Sequence, residues 1–222
     1  MKNLDDFFVR YSNGDRSLGS RLSTIKIATA LLNRSKNNNF VETGTTRKNI
    51  LSHPSIEDRA ADGASTVFFS HYCSVYGGKV WTCDIDAENI ESCKIATKEY
   101  ESLINYVVDD SINFLKNFDD NIDLLYLDSV DSSYDFAADH QLEEIKAAYD
   151  KLNSRSIILL DDLGDKTTKS IPYLQSKNWC QININIPFPS NYNNVVQGIF
   201  VHESFLYTNH AAIPIEKRFK DF

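Results

Sequence analysis

Apolar residues in the first third of the chain recur at two different intervals. Between Ser23 and Leu32, Ile25, Ile27, Ala28, Leu31 and Leu32 fall on one side of a helix, the spacing of an amphipathic element packed on a core. The run Asn37-Asn38-Asn39 ends it. Asn39-Phe40-Val41-Glu42-Thr43-Gly44 then reads as a short strand closing on a glycine, the residue that tolerates a sharp turn or a close backbone approach. Helical spacing returns from Ala64 to Tyr76 and is capped by Gly77-Gly78. From there the two periods alternate: strand Lys79–Asp84, helix Asn89–Leu103, strand Asn105–Val108, helix Ser111–Phe118, strand Ile122–Leu127, helix 139–152 and strand Ser156–Leu160.

Strands such as Ile157-Ile158-Leu159-Leu160 are apolar on both faces, which suits a parallel sheet covered by helices on each side. Strand–helix alternation therefore predicts an open α/β sandwich. The last part departs from it. Trp179–Phe188 and Val195–His202 both read as strands; Pro187 falls near the end of the first, and Pro189, Ser190 and three asparagines lie between them. No crossover helix fits there, so an antiparallel hairpin at one edge is expected. The division is an N-terminal helical or lid segment, 1–38, ahead of residues 39–222, in a single domain. Residues 45–62 are polar and irregular, and a connection of that length is expected to be a lid or another functional loop.

Composition narrows the function. A chain of 222 residues with 42% hydrophobic and 12% aromatic side chains closes a proper core rather than remaining disordered. Its net charge of −8 supplies no general attraction to phosphate backbones, so nucleic acid is not the expected partner. No run of 18 apolar residues is present, and Met1-Lys2-Asn3-Leu4-Asp5-Asp6 lacks the basic-then-apolar order of a secretory signal. Cys73, Cys83, Cys93 and Cys180 form no C-x-x-C pair. They are expected to be reduced and mostly buried in a cytoplasmic protein.

Ligands of open α/β sheets bind outside the carboxyl ends of the strands. The polar residues predicted there are Glu42 and Gly44, Asp84 and Asp86, Asp109 and Asp110, Asp128 and Asp131, and Asp161 and Asp162. Any one aspartate is readily explained as a turn or helix cap. A carboxylate at the end of every parallel strand is harder to explain that way. Two chemistries use such an edge. Asp84 can accept both hydroxyls of a ribose, and without a G-x-G-x-x-G turn to cradle a pyrophosphate the ligand is a nucleoside without phosphates. Asp128, Asp161 and Asp162 offer hard oxygen ligands to Mg²⁺, Ca²⁺ or Mn²⁺; equally, Asp161 and Asp162 can serve as a loop anchor and a cap.

The pieces FVETGTT (40–46), DGASTVFFSHYC (62–73), KVWTCDID (79–86), NYVVDDSINFL (105–115), IDLLYLDSVDSSYD (122–135) and SIILLDDLGD (156–165) resemble, in order and spacing, the class I S-adenosylmethionine-dependent methyltransferases. They are most similar to the small-molecule O-methyltransferases of the catechol, caffeoyl-CoA and macrocin type. That resemblance, over about residues 38–202, implies a Rossmann-like sandwich with a mostly parallel seven-stranded sheet and a C-terminal antiparallel hairpin. It implies that Glu42, Gly44 and Thr45 border the methionine part of S-adenosyl-L-methionine and that the interrupted glycine pattern resumes at Gly63 and Ser65. Asp84 matches the ribose acid, and Asp110 with Ser111 the pair that meets the adenine. Asp128, which also borders the cofactor, falls with Asp161 and Asp162 on the metal-ligand positions of the metal-dependent members. Where the family often has a histidine, Ser132 and Ser133 are no general base, which leaves Asp131, a lid residue or the metal itself.

The activity implied is methyl transfer to a hydroxyl of a small molecule or carbohydrate, with Mg²⁺ stabilising the oxyanion. Metal-independent transfer to another atom is the alternative, as is a non-catalytic binding protein on a degenerate methyltransferase scaffold. An NAD(P)-dependent oxidoreductase lacks its glycine fingerprint here, and a phosphotransfer protein its phosphate-binding lysine or Gly-rich loop. Arg47, Lys48 and Arg59 are candidates for an acidic acceptor or for a solvated lid face. Phe7, Phe8 and Tyr11 are candidates to close over an aromatic acceptor or to form a homodimer contact. His71, beside aromatic residues, reads as a core or interface residue, and His53, His140, His202 and His210 form no ligand spacing.

Overall fold

A computed structural model describes residues 8–12, 18–32, 37–47, 64–182 and 197–207. Its elements, in chain order, are α1 (Leu22–Leu31), β1 (Asn38–Thr43), α2 (Ala64–Tyr76), β2 (Gly78–Asp84), α3 (Ala87–Ala96), β3 (Ile104–Val108), α4 (Ser111–Lys116), β4 (Ile122–Leu127), α5 (Ala137–Ala148), β5 (Leu152–Leu160), α6 (Ser170–Ser176), β6 (Trp179–Ile182), β7 (Gly198–His202) and α7 (Glu203–Tyr207). Seven strands form one sheet in the order β3-β2-β1-β4-β5-β7-β6. The first five are parallel, and β7 runs antiparallel to both β5 and β6. The expected α/β sandwich is therefore present, with one refinement: β6 is the edge strand, and β7 lies inside it against β5.

Period-2 patterning sorts the core into two layers. Phe40, Leu124, Tyr126, Ile157, Leu159, Ile199 and Val201 face α1 and α2, where Ile25, Ala28, Phe68, Phe69 and Tyr72 meet them. Their chain neighbours Val41, Leu125, Leu127, Ile158, Leu160 and Phe200 face the opposite way, onto Phe114, Leu115, Ile145 and Leu174 of α4, α5 and α6. Each such side chain contributes about 1.5–3 kcal/mol on burial, so both faces of the central strands hold the sheet together. Phe8 and Tyr11 belong to the first layer. They pack on Phe68, with ring centroids 5.5 and 4.9 Å away, and Tyr11 shares a 2.7 Å hydrogen bond with His71 Nδ1. Buried apolar area has drawn them into the core, so neither is available to cover an acceptor or a partner. His71 is a core residue, as expected, and stacks on Tyr100.

Helix boundaries differ where capping chemistry decides. Asp86 accepts the Glu88 amide at 2.8 Å and starts α3 earlier than the apolar spacing indicates. Thr97 ends it: its hydroxyl meets the Cys93 carbonyl at 2.7 Å and Tyr106 Oη at 2.6 Å. The chain then tightens into a 3₁₀ turn, Lys98–Leu103. α6 has no counterpart in the sequence reading. All four cysteines are free, and burial pushes the Cys73 and Cys83 thiols up to about 12 and Cys93 to about 11, which keeps them unreactive at neutral pH. Among the described residues, no helix is long and apolar enough to cross a membrane.

Candidate active site

The parallel strands end in step. Thr43 pairs with Cys83 and with Leu127, Leu127 with Leu160, and Asp84 with Val108. Every turn that follows therefore opens on one edge of the sheet. The Gly44 amide bonds the Cys83 carbonyl at 2.8 Å, and the Asp128 amide bonds the Thr43 carbonyl at 2.9 Å. Gly44 adopts φ +81°, and a Cβ there would lie 2.4 Å from the Asp128 carbonyl oxygen. Only glycine lets the first turn approach the fourth this closely.

Glu42 is wholly buried behind that turn. It accepts the hydroxyls of Ser65 and Thr66 at 2.5 Å and of Thr82 at 3.0 Å. It thus ties the start of α2 to β1 and β2, and Ser65 is committed to it. Burial raises the Glu42 carboxyl to about 7, against the pull of the three hydroxyls. Thr82 also bonds Thr45 Oγ1 at 2.8 Å. When Glu42 is protonated, its hydroxyl can donate to Thr82 Oγ1, which leaves the Thr82 hydroxyl to donate to Thr45. Gly63 lies outside the described residues, as do Phe7, Lys48, Arg59, His53 and His210.

Asp84 stands half-buried at the end of β2. It accepts the Thr45 amide at 3.3 Å, the Asp86 amide at 2.8 Å and the Asn89 side-chain amide at 3.3 Å. Exposed Ile85 and Val108 flank it with apolar surface. A fixed carboxylate beside an apolar step is a donor set that suits a ribose and its base, so these residues fit the nucleoside half of S-adenosylmethionine. Asp110 caps α4 through the Asn113 amide at 3.0 Å. Ser111 Oγ lies 3.0 Å from His140 Nε2. His140 leans on the fully buried Glu144 at 3.6 Å, and the nearby carboxylate raises its imidazole. Ser129 donates to the same Glu144 at 2.7 Å.

Asp128, Asp161 and Asp162 converge, with oxygen atoms within 4.8 Å of one another. They carry partners that the sequence reading missed. Arg21 approaches Asp161 with Nε 2.9 Å from Oδ1 and Nη2 2.5 Å from Oδ2. Gln197 Nε2 adds a bond of 2.8 Å to Asp161 Oδ1 and one of 3.0 Å to Tyr126 Oη. Tyr126 donates to Asp128 at 3.3 Å. Lys166, 1% exposed, places Nζ 3.5 Å from Asp128 and 3.8 Å from Asp162. Burial opposes ionisation of both inner acids. Arg21 overrides it at Asp161, which is held below the usual carboxylate range, whereas burial and the charge of Asp161 push Asp128 well above it. Of the two, Asp161 is the stronger acid and Asp128 the weaker.

Such a cluster is a poor fit to a resident divalent cation. Both oxygens of Asp161 are in use, and two positive side chains already lie within reach of all three acids. The expected Mg²⁺ ligands thus come together, but around Arg21 and Lys166. Asp162 is the most exposed of them, at 33%, and its backbone has φ +53°, uncommon for a non-glycine residue and a mark of constraint. Burial and Asp161 raise its carboxyl above the ordinary range. Asp131 differs: it is exposed, and the Ser133 amide, 2.8 Å away, holds it below that range, which makes it the weaker base. Arg47 is exposed.

The paired signals for Arg21 and Gln197 were too distant in sequence to read. Lys166 carries a local one, four residues after Asp162.

Residues 60–163 match the family model described as a methyltransferase domain. No curated protein matches the chain. Among solved structures, the chain is similar to the methyltransferase PaMTH1 of Podospora anserina, bound there to S-adenosylhomocysteine: TM-score 0.57, 15% identity, 91% of this chain and 88% of that one. A provisionally assigned rRNA methylase from Clostridium thermocellum gives 0.56 at 16% identity, over 81% and 96%. The N-methyltransferase NodS of Bradyrhizobium japonicum WM9 gives 0.51 at 12%, over 82% and 96%. At these identities the structural likeness speaks for the fold, and the family model for the segment that carries Asp84, Asp110, Asp128 and Asp161. The chain thus has the fold of these methyltransferases, and its residues 60–163 match a methyltransferase domain.

Proposed function

We propose that the chain transfers a methyl group from S-adenosylmethionine to a hydroxyl of a small molecule or sugar. Bound at the sheet edge, the cofactor supplies an electrophilic methyl on a sulfonium. The protein's part is placement and proton removal. Asp84, fixed by three donors, holds the ribose side; Ile85 and Val108 offer the base an apolar step. The observation that carries the hydroxyl assignment is Asp162, a partly exposed carboxyl of raised proton affinity at the rim of the acid cluster. A general base works best when its pKa lies near the working pH, and Asp162, shifted upward, is better placed for this than Asp131, shifted downward. Asp84, Asp86, Asp109, Asp110 and Asp162 together make the edge acidic, which favours an acceptor without phosphates.

A divalent-metal-assisted version of the same transfer has one observation in its favour, the convergence of three acids within 4.8 Å. The engagement of those acids by Arg21 and Lys166 weighs against it. The test is calorimetry with S-adenosylmethionine, followed by transfer of labelled methyl to a panel of catechols, vicinal diols and glycosides. Micromolar cofactor binding that falls about 10–100-fold in Asp84→Asn, the loss expected for charge-assisted hydrogen bonds, together with label in an oxygen ether, is the expected result. Label on nitrogen or carbon acceptors alone would overturn the hydroxyl assignment.

A further inference from the structure

The acids after β4 and β5 have the oxygen chemistry of a metal centre, but their oxygens are already assigned. Asp161 Oδ1 accepts Arg21 Nε and Gln197 Nε2, and its Oδ2 accepts Arg21 Nη2. Asp128 Oδ2 accepts Tyr126 Oη, and Lys166 Nζ stands beside its Oδ1. The same two cations reach Asp162, Arg21 at 3.9 Å from Oδ1 and Lys166 at 3.8 Å from Oδ2. Each carboxylate therefore has a positive side chain within 4 Å, and two of the three have little or no exposure. Mg²⁺ demands near-ideal octahedral geometry, and Ca²⁺ takes six to eight oxygens. Either ion would have to displace a cation that the chain cannot release to solvent: Lys166 is 1% exposed, and Arg21 is forked on Asp161.

We propose that Arg21 and Lys166 are the resident cations of this site, built into the chain where a divalent ion would otherwise sit, and that methyl transfer here is independent of divalent metal. Arg21 fixes Asp161 permanently. Lys166 is the positioning residue that occupies the space between Asp128 and Asp162 and holds Asp162 at the rim. A corollary separates this from mere absence of affinity: with Lys166 replaced by a neutral side chain of similar length, Asp128 loses its cation and Asp162 keeps only the more distant Arg21, 3.9 Å from Oδ1, and the site becomes able to take a divalent one. The metal-binding half stands on the geometry alone. The catalytic half rests on the methyltransferase reading above.

The experiment is a titration of the full chain with Mn²⁺, following free ion by electron paramagnetic resonance, for the wild type, Lys166→Met and Lys166→Met/Asp162→Asn. The wild type is expected to show no saturable binding below about 1 mM, Lys166→Met a saturable site at least tenfold tighter, and the double variant a return to the wild-type curve. Stoichiometric Mn²⁺ binding to the wild type, lost in Asp162→Asn, would overturn the proposal, and this arm needs no folded lysine variant. A folded Lys166→Met, checked by circular dichroism, that gains no Mn²⁺ affinity would overturn the assignment of Lys166. In the activity arm, EDTA followed by Mg²⁺ is expected to change the wild-type rate by less than twofold; a tenfold or greater dependence would overturn metal independence. Failure of S-adenosylmethionine itself to bind in calorimetry would instead strike the methyltransferase reading and leave the Mn²⁺ result standing.

Discussion

Arg21 grips Asp161 across 140 residues of sequence, with two nitrogens on two oxygens of a carboxylate that has no solvent exposure. The pair fastens the turn before α1 to the end of β5, and Thr24 reinforces it by donating to Gln197, which holds the same carboxylate. A buried pair of this kind contributes little beyond its desolvation cost, but breaking one half leaves an uncompensated charge. Arg21→Met should therefore lower unfolding free energy by about 3–5 kcal/mol in urea titrations. Adding Asp161→Asn to it should restore a substantial part of that loss, a recovery that simple loss of packing would not give.

Glu42 makes stability depend on pH. Its carboxyl ionises near 7 in the folded chain against an ordinary value of 4.5. The folded state thus binds this proton more tightly, so the contribution is fully present below 4.5, falls as pH rises and is gone above 7. The difference amounts to about 3 kcal/mol. Urea titrations at pH 5 and 8 should show that Glu42→Gln removes most of this slope, with the variant gaining relative to the wild type at the higher pH.

Gly44→Ala meets a backbone obstacle that no side-chain rearrangement relieves. The added carbon would sit 2.4 Å from the Asp128 carbonyl oxygen, at a φ of +81°. A loss of about 3 kcal/mol is expected from strain and clash together. Affinity for S-adenosylmethionine should fall with it, because the turn between Thr43 and Asp128 must open. Thermal melts and calorimetry on the same preparation check both effects.

Asp162→Asn probes the base. If this carboxylate takes the acceptor's proton, the variant should lose about 10²–10⁴ in kcat with a much smaller change in KM. In the wild type, kcat/KM should rise with pH through a limb above the ordinary carboxylate range, since burial and Asp161 raise the group that must be deprotonated. That limb should vanish in the variant. Asp131→Asn should leave it in place.

The sheet was legible because its central strands are apolar on both faces. Ile122–Leu127 begins and ends where the pattern puts it, and so does Ala64–Tyr76. α6 was not legible. Ser170–Ser176 carries Pro172, a residue that reads as a breaker, yet it falls in the first turn, where no backbone donor is needed. At the site, the acids could be found from their positions after strands. Their cations could not, because charge partners follow from folding rather than from spacing: Arg21 lies in a stretch without period, and Gln197 just ahead of a strand. Asp86 and Asp110 illustrate the opposite case. Both cap helices, the plain role that any single aspartate at a strand end can fill.

The place of β7 constrains the order in which the chain can fold. Ile157–Leu160 needs a partner on the side away from β4, and that partner, Gly198–His202, leaves the ribosome after every other described strand. Until it arrives, four consecutive apolar residues of β5 present an unpaired edge, a ready template for a strand of another chain. A nascent or truncated chain ending before Gly198 should therefore depend on chaperones and aggregate when released, although every residue of the acid cluster has already been made.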